Sequence, residues 1–283
     1  MAFKIPVEDR IPTYPGRVTL TPVVGSENTF DMVRADLPLV EGTPINKQLF
    51  DRKTDCLVED VTVYVTSTGS DVEGDGNSDA PFATIQKAID ALPKDLNGYT
   101  ASISIGFGTY GERIVVDGFT AGRLVVGKPG EVFTVTGGIE IINSSFVETN
   151  INQIQKDTSS NKSLFIVKDG SSVSVNSNIT LNGVDTSVNG MLVENNSNVV
   201  TTSAVTITVN NCAGAIVAQW CSNVSLNVIT GSGSIFGMSA SQGSIVSYKK
   251  DTLSKMWSNL ADSGGLVLTG NNSSDLSGAT LDL

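Results

Sequence analysis

Phe165–Val173 reads FIVKDGSSV, Met191–Val199 reads MLVENNSNV and Ile216–Val224 reads IVAQWCSNV. Each copy gives apolar residues, a polar turn, then Ser or Asn and an apolar residue. A fourth, looser copy ends in GSIV at Val246, and the offsets are 26, 25 and about 21 residues. Phe165, Met191 and Ile216 fall in one column; Val173, Val199 and Val224 fall in another. Further strand-like pieces lie between the copies at Ile179 to Leu181, Val205 to Val209 and Leu226 to Ile229. Three short strands per repeat of roughly 20–30 residues is what a parallel β-helix requires. Its coils hydrogen-bond to one another at about 4.8 Å. Like residues then stack, so Val and Ile columns fill the core, and Ser and Asn columns form hydrogen-bonded ladders at the turns.

Upstream, short apolar stretches follow one another at Ser102 to Ile105, Arg113 to Val116, Arg123 to Val126, Val132 to Val135 and Ile139 to Ile142, separated by Gly, Asn, Asp and Ser. An antiparallel sandwich or barrel competes with the β-helix and would use two-residue hairpin turns such as Asn-Gly or Asp-Gly. Asn97-Gly98, Asn182-Gly183, Asn189-Gly190, Asp75-Gly76, Asp117-Gly118 and Asp169-Gly170 qualify, and the same dipeptides serve β-helix corners. The expected architecture is all-β: a right-handed parallel β-helix with three strands per coil over residues 61–250.

A lid precedes the body. Val61, Val63 and Val65 alternate with polar residues as a strand, and a glycine- and acid-rich loop follows. Phe82, Ile85, Ala88, Ile89 and Leu92 recur at helical spacing, which predicts a capping helix over 81–92. Ser78 or Asp79 would be its N-cap, Pro81 would lie in its first turn, and Pro93 would stop it. A helix of that length, about 18 Å, would plug the open end of a solenoid. The loop Asp71 to Phe82 has oxygen side chains at the first, third, fifth and ninth places and glycine at the sixth, in part like a calcium loop. The twelfth place is Phe82 rather than a bidentate Glu, so a solvated acidic turn is the simpler reading and no metal site is expected.

Residues 1–60 hold six of the nine prolines, together with large apolar residues such as Ile5, Tyr14, Phe30 and Phe50. Proline disfavours central strands and helix interiors, yet a disordered linker would lack so many apolar groups. The segment reads as an extended arm that orders against a partner or, alternatively, as a small subdomain. A turn at Glu41 to Asn46 would open a short helix to Phe50, with Thr43 as N-cap. Beyond Lys250, the spacing of Leu253, Met256, Trp257 and Leu260 predicts a helix within a C-terminal cap or tail, residues 251–283.

Composition excludes several functions. Histidine is absent, which removes Ser-His-Asp and Cys-His catalysis and His-ligated metals. The net charge is −11, from 18 basic and 29 acidic residues, and no basic face is visible, so neither nucleic acid nor an anionic membrane is an expected partner. No apolar run approaches a membrane span. The opening MAFKIPVEDR lacks the apolar core of a signal peptide. Cys56, Cys212 and Cys221 match no disulfide framework or zinc motif and read as small hydrophobes of a chain folded in a reducing cytoplasm. No cofactor is expected.

The stretch VYVTSTGSDVEGDGNSDAPFATIQKAIDALP, Tyr64 to Pro93 at its sharpest, resembles the opening of pectin-lyase-like right-handed β-helix domains. That fold hosts lyases, hydrolases and non-enzymatic spikes, so the resemblance speaks for fold and not for chemistry. The N-terminal arm is similar to the N-termini of structural proteins from phages and prophages of Gram-positive bacteria, where such segments precede tail-fibre or tail-spike domains. Together these resemblances imply an appendage of a phage or phage-tail-like particle, made in the host cytoplasm and carried on the virion. They also imply a homotrimer docked on other virion proteins through residues 1–60. On that reading Arg10, Tyr14, Arg17, Glu41 and Asn46 are candidate docking residues.

Depolymerisation by β-helix spikes rests on paired carboxylates. Within the clear repeats the acids are Asp169, Asp185 and Glu194; Lys168 stacks over Glu194 as an expected surface ion pair, and no column shows two facing carboxylates. No catalytic residue is assigned, and a polysaccharide depolymerase is the alternative function. Trp220 aligns with Asn195 and Asp169 at a turn, where an exposed indole could stack on a host-surface sugar or, alternatively, pack in a trimer interface.

Overall fold

The computed structural model describes the backbone at 11–12, 18–22, 30–34 and 38–40, and then residues 56–158, 160–257 and 260–269. By contact the chain divides into two units, Ala2–Asp55 and a second unit from Cys56 onward. In the first, Val18–Pro22 pairs antiparallel with Phe30–Arg34, and Ile11–Pro12 with Pro38–Val40. Pro12, Pro22 and Pro38 each stand at the end of a two-stranded pair, where a missing donor is tolerated. The helix expected to end at Phe50 lies outside the described residues.

The second unit is a right-handed parallel β-helix of about six turns. Face I stacks Ile114–Asp117, Ile139–Ile142, Phe165–Lys168, Met191–Val193 and Gly214–Ala218. Face II stacks Val61–Val65, Thr100–Ile105, Arg123–Val126, Val147–Thr149, Ser172–Val175 and Asn198–Thr201. Face III stacks Gly108–Tyr110, Phe133–Thr136, Gln153–Gln155, Ile179–Asn182 and Thr206–Asn210. The register follows the sequence columns: Phe165 pairs with Met191 and Met191 with Ile216, while Val173 pairs with Val199, Val199 with Val224 and Val224 with Val246. Parallel pairing throughout this body rules out the sandwich, and Asp169-Gly170 forms a left-handed corner, with φ of 58° and 74°.

Along the short strands of the faces, such as Thr100–Ile105 and Thr206–Asn210, side chains alternate in and out. The inward set, with Ile103, Ile114, Ile139, Ile141, Phe165, Met191, Ile207 and Ile216 among its members, is fully buried in one continuous core. The last coils are shorter because one strand, Asn223–Ala240, runs on around the corners instead of breaking into loops. It bends at Gly231 and Gly233, with φ of 134° and 77°. A Cβ on Gly231 would lie 1.9 Å from the Val209 carbonyl oxygen.

Two expectations need correction. The capping helix α1 spans only Ile85–Asp90, with Thr84 as N-cap. Pro81 and Phe82 stay extended because Phe82 bridges Val65 in parallel, so helical geometry cannot begin before Thr84. The helix still closes the solenoid, with Phe82, Ile85, Ala88, Ile89 and Leu92 all buried. At the other end, Ile245–Trp257 is one continuous strand, not a helix beyond Lys250. It stacks on Asn223–Ala240 from Asn223↔Ile245 to Phe236↔Trp257, and this template overrides the local helical spacing.

Candidate functional site

The corner between faces I and II is the most regular feature of the body. Ser144, Ser171, Ser197, Ser222 and Ser244 are buried there, one per coil. Each hydroxyl accepts from a backbone N–H of the preceding coil: Phe119 to Ser144, Ser144 to Ser171, Ser171 to Ser197, Ser197 to Ser222 and Ser222 to Ser244, at 3.0–3.3 Å. The Ser171 hydroxyl in turn donates to the Lys168 carbonyl at 2.7 Å. Serine is small enough to enter the corner and satisfies N–H groups that the strands leave unpaired there.

Just outside the ladder the first coils turn on a single left-handed residue, Gly118 and then Asn143, and the five later corners on two left-handed residues. The pairs are Asp169-Gly170, Asn195-Asn196, Trp220-Cys221, Gln242-Gly243 and Ser263-Gly264. Gly, Asn and Asp take this conformation readily. Trp220, Cys221, Gln242 and Ser263 are the exceptions, and Trp220, at 51°, is the bulkiest of them. The turns are locked in register: Gly170 N–H donates to the Asn195 carbonyl at 2.9 Å, Asn196 to Trp220 at 2.8 Å and Cys221 to Gln242 at 3.0 Å. Trp220 is 46% exposed. Cys221 is exposed too, so only Cys212 fits the expected small buried hydrophobe, and burial pushes its thiol up to about 11.

Beside the corner, on face I, sits a charge cluster that was not anticipated. Glu140 is buried, with Lys168 Nζ 2.6 Å, Lys162 Nζ 3.2 Å and Arg113 Nε 3.6 Å from its carboxylate. Burial alone would raise its pKa; hydrogen bonds from Lys168 and Lys162 outweigh it and hold the carboxyl below the usual range. Lys168 therefore pairs with Glu140 rather than with Glu194, which corrects the repeat-based pairing. Glu194 is left half-buried, and burial pushes its pKa up, opposed by Lys168 and reinforced by Asp169 and Glu140. The sequence signal available was a single Glu in the otherwise aliphatic strand Ile139–Ile142.

Asp71, Glu112 and Asp185 serve the fold. Asp71 accepts from the Ala83 and Thr84 N–H groups at 2.8 and 3.0 Å and from the Thr84 hydroxyl at 2.7 Å. Both oxygens of the first residue in the calcium-like loop are thereby turned to the start of α1. Glu112 accepts from Ile85 and Gln86 N–H at 2.8 and 2.9 Å. The Gln86 amide exchanges two hydrogen bonds with the backbone of Val115, at 2.7 and 3.1 Å, and so caps the outer edge of face I. Asp185 binds buried Lys156 at 2.9 Å and also Ser187, contacts that hold its carboxyl down to about 2.

Of the predicted site residues, Trp220 stands exposed at its turn; Arg10, Tyr14, Arg17, Glu41 and Asn46 lie outside the described residues. Comparison with family models, with characterised proteins and with solved structures gave no match.

Proposed function

We propose that the chain is a non-enzymatic structural appendage of a phage or phage-tail-like particle. Residues 1–60 dock it on other virion proteins, and its β-helix, as a homotrimer, is displayed for host-surface contact or as particle decoration. The resemblances of the lid and the arm support this reading. The observation that carries it is the use made of the acids: Asp71, Glu112, Glu131 and Glu140 are engaged as acceptors inside the fold. What the body offers outward is a rigid, regular stack. Electron microscopy of particles labelled on this chain tests the reading, with density on a tail, neck or head structure expected. Deleting residues 1–60 is expected to abolish incorporation while the body stays folded. Incorporation of the truncated chain would sink the docking role.

A glycan depolymerase is the second reading, favoured by one observation. Glu194 is half-buried, burial raises its pKa, and it lies within electrostatic reach of a second carboxylate, Asp169; glycoside hydrolases work with two carboxyl groups. Reducing-sugar release from host envelope or capsule, abolished by Glu194→Gln, would establish it in place of the first.

A further inference from the structure

We infer that the corner around Trp220 is a binding site for a neutral pyranose glycan. The inference rests on the reading of the body as a host-contacting surface and gives that contact a place and a chemistry. Trp220 occupies a backbone position that neighbouring coils give to Asp169, Asn195, Gln242 and Ser263, each with φ between 47° and 58°. Asp169 and Asn195 suit a left-handed turn, while Gln242 and Ser263 are at least small or polar; a tryptophan, the bulkiest side chain of the column, is strained there. The strain gains nothing for the core, because the indole projects outward and is 46% exposed. An apolar ring held on the surface against its backbone preference points to an external partner.

The surroundings define the partner. The coils are in register, so Asn195 and Gln242 stand one coil step, about 4.8 Å, to either side of Trp220. Gln219 precedes it in the same turn. Asn195 donates its amide to Asp169 at 2.7 Å, which turns the carboxylate along the column. A flat apolar face flanked by amides, which both donate and accept, matches a pyranose ring: its C–H face lies on the indole and its equatorial hydroxyls meet the amides.

Charge narrows the class. Asp169 and Glu194 are the acids of the corner, and the nearest cation, Lys168, is drawn 2.6 Å from Glu140 Oε1. The corner thus sets two carboxylates against a cation already shared with Glu140, which disfavours phosphate- or uronate-bearing chains. A dry interface with a second copy of this chain is disfavoured for a related reason, since it would bury Asp169 and Glu194 with Lys168, already shared with Glu140, as their cation.

The test uses the full chain against immobilised neutral hexose and N-acetylhexosamine oligosaccharides, with uronate- and phosphate-bearing oligosaccharides alongside. Binding confined to neutral members is expected. Trp220→Asn, which installs the residue of the preceding coil, is expected to weaken binding at least tenfold while raising the melting temperature. Glu194→Gln is expected to improve binding of the uronate members. The inference is overturned if no neutral oligosaccharide binds or if Trp220→Asn binds as well as the wild type. A Trp220→Asn chain that melts lower and changes oligomeric state overturns it as well, because the indole is then structural. Particle labelling keeps the two levels apart: a chain absent from particles removes the appendage reading, whereas normal incorporation with unchanged binding by Trp220→Asn removes the glycan site alone.

Discussion

The first coils of the β-helix and the later ones solve the same problem with different chemistry. Both must satisfy backbone N–H groups at corners and edges where no strand follows. Near the lid the acceptors are carboxylates: Asp60 for Thr100, Asp71 for Ala83 and Thr84, Glu112 for Ile85 and Gln86, and Glu131 for Ile105 and Lys128. From the second half of the body onward they are mainly amides and hydroxyls. Asn178 accepts from Thr206, Asn189 from Gly214 and Asn210 from Ser232, beside the five-serine ladder. The physical difference is geometric. The lid end has irregular loops and a helix N-terminus, where a charged acceptor with two oxygens reaches several donors and its hydrogen bonds are stronger. Regular coils repeat one donor per turn, which one neutral acceptor satisfies; stacked carboxylates would repel one another at about 4.8 Å. The carboxylate-capped turns of the lid end should therefore respond to pH, and the hydrogen bonds of the serine ladder itself should not.

The largest expected effect is a control on that contrast. Ile141→Ala and Ile207→Ala each empty a fully buried core position, and each should cost about 2–5 kcal/mol, equally at pH 7 and pH 4. A pH dependence in either would mean that the halves do not share one core. Glu140→Gln comes next. It leaves three cations around a neutral amide, and about 2 kcal/mol is expected, below the 3–5 of a fully buried pair because Lys162 is 61% exposed. Glu140 and Asp71 have folded pKa values below their ordinary 4.5 and 3.8. Their stabilisation is thus complete above those values and fades as pH falls through the folded ones. Urea unfolding should show the Glu140→Gln deficit at pH 7 and a shrinking one below about pH 4. Glu112 runs the other way: burial raises its pKa, so its contribution improves as pH falls toward 4.5.

Ser197→Ala should cost about 1–2 kcal/mol by orphaning the buried Ser171 N–H. Regional amide exchange should place the loss at the face I–II corner, with the same size at both pH values. A loss that grows on acidification would break the contrast. The smallest effect has the opposite sign. Trp220→Asn should stabilise by roughly 1 kcal/mol, the relief of a left-handed tryptophan, and chemical denaturation reads it directly.

The core columns and the register were legible in the sequence because stacking makes like residues meet: Phe165, Met191 and Ile216 align by simple offset. The strands at Val147–Thr149 and Gln153–Gln155 were not, since three residues carry too little periodicity to stand out. The exposure of Trp220 followed from its alignment with Asn195 and Asp169, but its strained backbone did not, because φ is fixed by the neighbouring coils and not by the residue. The cluster around Glu140 draws Arg113, Lys162 and Lys168 from three separate segments, and no local pattern links them.

What the sequence determined by itself was the repeat, and with it the stacked parallel fold: inward side chains at period two and turns at fixed offsets are local properties. Tertiary structure alone decided where α1 begins, why Ile245–Trp257 extends instead of coiling, and which lysine meets which glutamate. Each of those outcomes depends on a partner strand or side chain brought close only after the coils have stacked, and there the template's hydrogen bonds outweigh local preference.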